Sequence, residues 1–118
     1  MTTLDKHNLN NILKNIKSVT TFHEHYDYIM VNTTCPINYC EEFLVLYIKP
    51  VENGILVTDL NNTLEDAQLN GIPVESLKLL TIKHGLEFDG TSVFTITQTD
   101  ELKETFEKFF NLIKNLEL

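Results

Sequence analysis

The run Phe43-Leu44-Val45-Leu46-Tyr47-Ile48-Lys49, the turn Pro50 to Gly54 and the return Ile55-Leu56-Val57-Thr58-Asp59 together decide the fold. The first run is almost wholly apolar, short, and rich in β-branched and aromatic side chains, which describes a strand. Its apolar residues fall on both parities, so it reads as a central strand covered on both faces. Asn53-Gly54 is a strong hairpin signal, because these residues tolerate the positive φ that tight turns demand. Residues 43–49 and 55–59 are therefore expected to pair antiparallel.

Working towards the N-terminus, Asn32 to Glu42 carries Thr33, Thr34, Cys35, Pro36 and Asn38 without periodicity and reads as a loop. Val19 to Phe22 and Tyr26 to Val31 read as extended, with His23-Glu24-His25 as a polar turn between them. Leu4 to Ser18 reads as a helix: Leu9, Ile12, Leu13 and Ile16 form one apolar stripe. Lys14 and Lys17 fall where the helix dipole favours cations.

Working the other way, Thr63 and Asp66 resemble a capping box, and Gly71 closes that short helix. Pro73 suits the start of a second helix, Val74 to His84, and Gly85-Leu86 has the form of a Schellman ending. Leu86 to Phe88 and Ser92 to Thr97 read as strands joined through Asp89-Gly90. The last helix is expected from Asp100 to Leu116, with Thr99 as its cap and a stripe of Leu102, Phe106, Phe109, Ile113 and Leu116. The expectation is a single α+β domain over residues 1–118. It has an antiparallel sheet of about five strands covered by helices, in the order α-β-β-β-α-α-β-β-α.

Composition narrows the function classes. The 118 residues carry 9 Lys+Arg against 17 Asp+Glu, a net charge of −8. Every basic residue is Lys, so the forked guanidinium that clamps phosphates is missing. Direct nucleic-acid binding is not expected, since phosphate contacts need cations. The opening stretch Met1 to Asn11 is too polar for a secretion signal and no run is long enough to span a bilayer. A cytoplasmic setting follows as the expectation, with Cys35 and Cys40 as thiols.

Three groupings could carry chemistry. His23, His25, Cys35 and Cys40 offer imidazole and thiolate ligands for zinc, but their spacing matches no familiar zinc framework. His25, Asp27 and Asp59 could serve a hydrolase or metal enzyme. A lone Asp59 before Asn61-Asn62-Thr63 reads more simply as a turn-forming residue that bonds nearby backbone amides. No phosphate loop, nucleophile elbow or Cys-x-x-Cys occurs, and Gly54, Gly71, Gly85 and Gly90 are all absorbed by turns or helix ends. No cofactor and no enzymatic activity are expected. The remaining grouping is a row of carboxylates, Asp100, Glu101, Glu104 and Glu107, opposite the apolar stripe of the last helix. Such a row is most simply a solvated helix face, partly offset by Lys103 and Lys108; it can also imitate a nucleic-acid phosphate track and block a basic channel.

Two resemblances add to this reading. The order of elements is similar to that of the type III secretion chaperones, which implies an acidic homodimer that binds extended segments of other proteins. The run His25 to Ile29, followed by Gly54-Ile-Leu-Val-Thr-Asp59, Thr63 to Asp66 and Asn70-Gly71-Ile72, resembles domain of unknown function eighteen-twenty-eight, a bacterial and phage family. That family's turn has the form Thr-Asp-Asp-Gly-Tyr-Thr. Thr58, Asp59 and Thr63 match it, whereas Leu60-Asn61-Asn62 replaces the part that holds a second carboxylate. The resemblance implies a phage or mobile-element protein and no particular reaction. The resulting expectation is an acidic protein-binding module that occludes a host defence protein, through Asp100, Glu101, Glu104, Glu107, Asp59 and Asp66. The alternative is a chaperone-like homodimer holding a client segment.

Overall fold

Six strands form one antiparallel sheet: β1 (Val19–His25), β2 (Tyr28–Ile37), β3 (Glu42–Val51), β4 (Gly54–Thr58), β5 (Glu87–Phe88) and β6 (Val93–Thr97). Their order across the sheet is β1-β2-β3-β4-β6-β5. The helices are α1 (Lys6–Leu13), α2 (Asn62–Leu69), α3 (Val74–Lys83) and α4 (Leu102–Leu116), the last preceded by a 3₁₀ turn at Thr99–Glu101. This computed structural model describes residues 6–37, 42–60, 62–69 and 71–116.

The α+β architecture and the order of elements agree with the sequence reading, and the sheet has one strand more. The extra strand lies at the N-terminal end, where β1 and β2 are two separate paired strands in a stretch that the expected order counted as one. The turn also moves, because His23-Glu24-His25 stays extended inside β1 and the chain reverses at Tyr26-Asp27. His25 pairs with Tyr28 across this two-residue turn, and Tyr26 takes a φ of 56°. The expected loop from Asn32 is a second correction. Asn32–Ile37 continues β2, and Pro36 and Ile37 pair with Phe43 and Glu42. The register shifts between Asn32 and Pro36, and there the buried Thr33 hydroxyl donates to the Leu44 carbonyl (2.7 Å) and accepts from the Cys35 N–H (3.2 Å). A side chain thus satisfies backbone groups that the ladder leaves unpaired.

The core lies on one side of the sheet. Ile29, Val31, Leu44, Leu46, Ile48, Ile55, Val57 and Val93 are buried there against Leu9, Leu13, Leu77, Leu102, Phe106, Phe109 and Ile113 of the helices. Burying a side chain such as Phe106 or Leu46 contributes roughly 1.5–3 kcal/mol. The expected cover on both faces of β3 is therefore wrong. Burial along it alternates, with Leu44, Leu46 and Ile48 buried and Phe43 56 % exposed. Val45, Tyr47 and Lys49 are half-buried on the same side as Phe43.

Local endings follow the expected chemistry. Gly85, with φ 77°, closes α3 while the Gly85 N–H donates to the Ile82 carbonyl and the Leu86 N–H to the Thr81 carbonyl, a Schellman motif. Gly54 is required by crowding: a Cβ there would lie 2.4 Å from the Thr97 carbonyl oxygen. The last helix is capped differently from expectation, because Gln98, not Thr99, occupies the N-cap of the 3₁₀ turn and its side chain makes no capping bond.

Candidate functional site

The acidic row sits where α4 leaves the sheet. Asp100 and Glu101 lie in the 3₁₀ turn, Glu104 and Glu107 on the outer side of α4, and all four side chains are exposed. The inner side of the helix, Leu102, Phe106, Phe109, Leu112 and Ile113, is fully seated in the core. The start of the helix is further pinned to β6 by the buried pair Thr105 and Thr97, whose hydroxyl oxygens are 2.8 Å apart. The Thr105 oxygen also lies 2.9 Å from the Glu101 carbonyl, the acceptor for its proton. The carboxylates are consequently presented from a fixed backbone. Asp100, Glu101, Glu104, Thr105 and Lys108 line a shallow depression of about 400 Å³. Among the described residues, none of the four carboxylates makes an ion pair or a side-chain hydrogen bond.

Asp59 does not belong to this surface. It is fully buried at the end of β4, where its Oδ1 accepts from the Val93 N–H at 3.0 Å. The Val93 carbonyl in turn accepts from the Asp59 N–H (3.2 Å) and from the Thr58 hydroxyl (3.1 Å). The Asp59 carboxylate thus bonds a backbone amide across the sheet. Asn61 lies outside the described residues, and Thr63 and Asp66 lie in α2 with side chains outside them.

The histidines and Cys35 are separated by the sheet itself. His23 and His25 pair with Met30 and Tyr28, and all four point to the uncovered face. Cys35 is buried on the helix side with Ile29, Val31 and Thr33. These three cannot ligate one zinc ion; Cys40 lies outside the described residues. His25 and Asp59 are three strands apart, roughly 14 Å in strand spacing alone, and Asp27 sits in the exposed β1–β2 turn. No group of three or more His, Cys, Asp or Glu among the described residues could hold a metal ion. No helix among them is long and apolar enough to cross a membrane.

The uncovered sheet face is the surface that the sequence reading missed. Tyr47 packs against His25 in a tilted arrangement (ring centres 5.9 Å apart) and against Tyr28 edge to face (6.2 Å), and the Lys49 ammonium lies 5.1 Å from the Tyr28 ring centre. Leu56, Phe94 and the 47 % exposed Ile96 extend the face across β4 and β6. A shallow concavity of about 290 Å³ lies between Tyr28, Leu56, Leu60 and Phe94, with Asp89 and Ser92 at its rim. The signal was present in the sequence as apolar residues on both parities of β3, β4 and β6. Compared with known proteins, the chain matches no family model, no curated protein and no solved structure.

Proposed function

We propose that the chain is a non-enzymatic, acidic protein-binding module that acts by occluding a basic surface of its partner. The partner class is a nucleic-acid-targeting defence protein, and the setting is a phage or other mobile element. The observation that carries this reading is the row Asp100, Glu101, Glu104 and Glu107. Its four exposed carboxylates are held on a backbone anchored through Thr105 and Phe106. Negative charge fixed in position draws a basic groove towards it before contact and loses nothing to reorganisation on binding. A hydrolytic role is disfavoured because the buried Asp59 is tied to Val93 and far from His25.

The test is capture of host proteins on the immobilised chain, followed by association kinetics of the captured partner across a salt titration. Charge-led occlusion predicts an on-rate that falls steeply with ionic strength. The triple variant Glu101→Lys, Glu104→Lys, Glu107→Lys is expected to slow association by roughly tenfold or more, within the span that steering by several charges covers. An on-rate indifferent to both salt and charge reversal would overturn the reading.

A further inference from the structure

We infer that the uncovered face of the sheet is a dimer interface, occupied by a second copy of this chain packed sheet against sheet. The proposal rests on this face alone and not on the acidic row, which lies on the opposite side of the molecule and stays outward in such a dimer.

Two observations select this occupant. The first is chemical. Strands β2, β3, β4 and β6 present Tyr28, Met30, Val45, Tyr47, Leu56 and Phe94 on this face together with the ammonium of Lys49, and among the described residues none of these strands places a carboxylate there. On a chain of net charge −8, this is a surface that two copies can bring together with little like-charge repulsion. Residues apolar on both parities also call for cover on both faces, and the chain's own helices supply only one.

The second is self-complementarity. One row of paired residues crosses the whole sheet: His23, Met30, Tyr47, Thr58, Phe94, Glu87. Its β1 end offers an imidazole hydrogen-bonding group, His23, and its β5 end a carboxylate acceptor, Glu87. A two-fold axis parallel to the strands between two such sheets exchanges β1 with β5, β2 with β6 and β3 with β4. His23 of each copy then faces Glu87 of the other, Met30 faces Phe94 and Tyr47 faces Thr58. The pairing is isologous, as a closed dimer requires. Two aligned sheets about 10 Å apart are also a standard packing arrangement.

Sedimentation velocity of the full chain at pH 7, over roughly 1 to 100 μM, a range that brackets micromolar affinity, is the direct test. A monomer–dimer equilibrium is expected. Ile96→Lys, at an exposed position of this face, is expected to weaken dimerisation by roughly tenfold or more while leaving the circular dichroism unchanged. His23→Glu is expected to weaken it through facing carboxylates, and adding Glu87→Lys to that variant should recover it. A strict monomer throughout the range would overturn the proposal. So would a dimer indifferent to Ile96→Lys, or a His23→Glu defect that Glu87→Lys does not repair. None of these outcomes bears on the salt dependence of partner association, so the two readings fail separately.

Discussion

Asp59 and Val93 bond each other in both directions. The Val93 N–H donates to the Asp59 carboxylate at 3.0 Å, and the Asp59 N–H donates to the Val93 carbonyl at 3.2 Å. The pair extends the β4–β6 ladder one step beyond the last regular residue, using a side chain where a backbone carbonyl would otherwise serve. It therefore holds together the two strands that the intervening α2, α3 and β5 separate in sequence.

Removing that carboxylate leaves a buried N–H without its acceptor. Asp59→Ala is expected to lower unfolding free energy by about 1–3 kcal/mol. Asp59→Asn keeps an oxygen acceptor and should cost less. Urea denaturation measures both, and an Asp59→Ala protein as stable as the parent would show that the bond contributes nothing.

Leu60 follows directly and carries a φ of 59°, a left-handed conformation that costs an ordinary residue roughly 1–2 kcal/mol. It is held there from both sides, its N–H donating to the Thr58 hydroxyl (3.1 Å) and its carbonyl accepting from the Ser92 hydroxyl (2.8 Å). Asn adopts this conformation more readily. Leu60→Asn is expected to raise stability by a few tenths to about 1 kcal/mol, read as a higher denaturation midpoint. A lower midpoint would mean that the leucine side chain's contacts outweigh the strain.

Gly54 and Gly90 both have positive φ but differ in surroundings. A Cβ on Gly54 would overlap the Thr97 carbonyl, whereas at Gly90 it would meet nothing within 4 Å. Gly90→Ala should therefore cost only the conformational strain, about 1–2 kcal/mol. Gly54→Ala adds a backbone clash and should cost more, or prevent folding. Comparison of thermal midpoints decides it, and equal losses would contradict the assigned close approach.

Asp89 supplies a pH dependence. Its Oδ1 accepts from the Ser92 N–H (2.7 Å), the Thr91 N–H (2.9 Å) and the Thr91 hydroxyl (3.0 Å). These bonds, the Ser92 one foremost, hold the carboxyl below the usual carboxylate range. A lowered folded-state value means the stabilisation is complete above the unfolded value, about 3.9. It is lost as the pH falls through the lower folded one. Asp89 is exposed, so the effect is small. Asp89→Asn should lower stability at pH 7 and flatten the acid limb of the stability curve. An unchanged acid limb would remove Asp89 as a contributor.

The parts of the fold legible in the residues are those whose cause lies within a few positions. The α4 stripe of Leu102, Phe106, Phe109 and Ile113 is buried as its spacing requires, and Gly85-Leu86 ends α3 through bonds to Ile82 and Thr81. Where the local signal was misread, a longer pairing had overridden it. His23-Glu24-His25 looks like a turn until β2 pairs with it, and Thr33 to Pro36 looks like a loop until β3 does. The acidic row was likewise legible, since helical spacing alone puts Glu104 and Glu107 opposite the core stripe.

By itself the sequence determined the α+β class and, but for one strand, the order of elements, together with the turn and helix-end glycines and the charge of the outer helix face, because each depends on neighbours close along the chain. Only the tertiary structure decided which side of the sheet the helices cover, that Asp59 bonds Val93, and that Cys35 lies on the opposite side from His23 and His25. Phe43 to Ile48 is apolar on both parities, so nothing in its pattern distinguishes one face from the other. That choice belongs to how α1, α2, α3 and α4 return over the strands, and it leaves Tyr47 and Phe94 on the uncovered side.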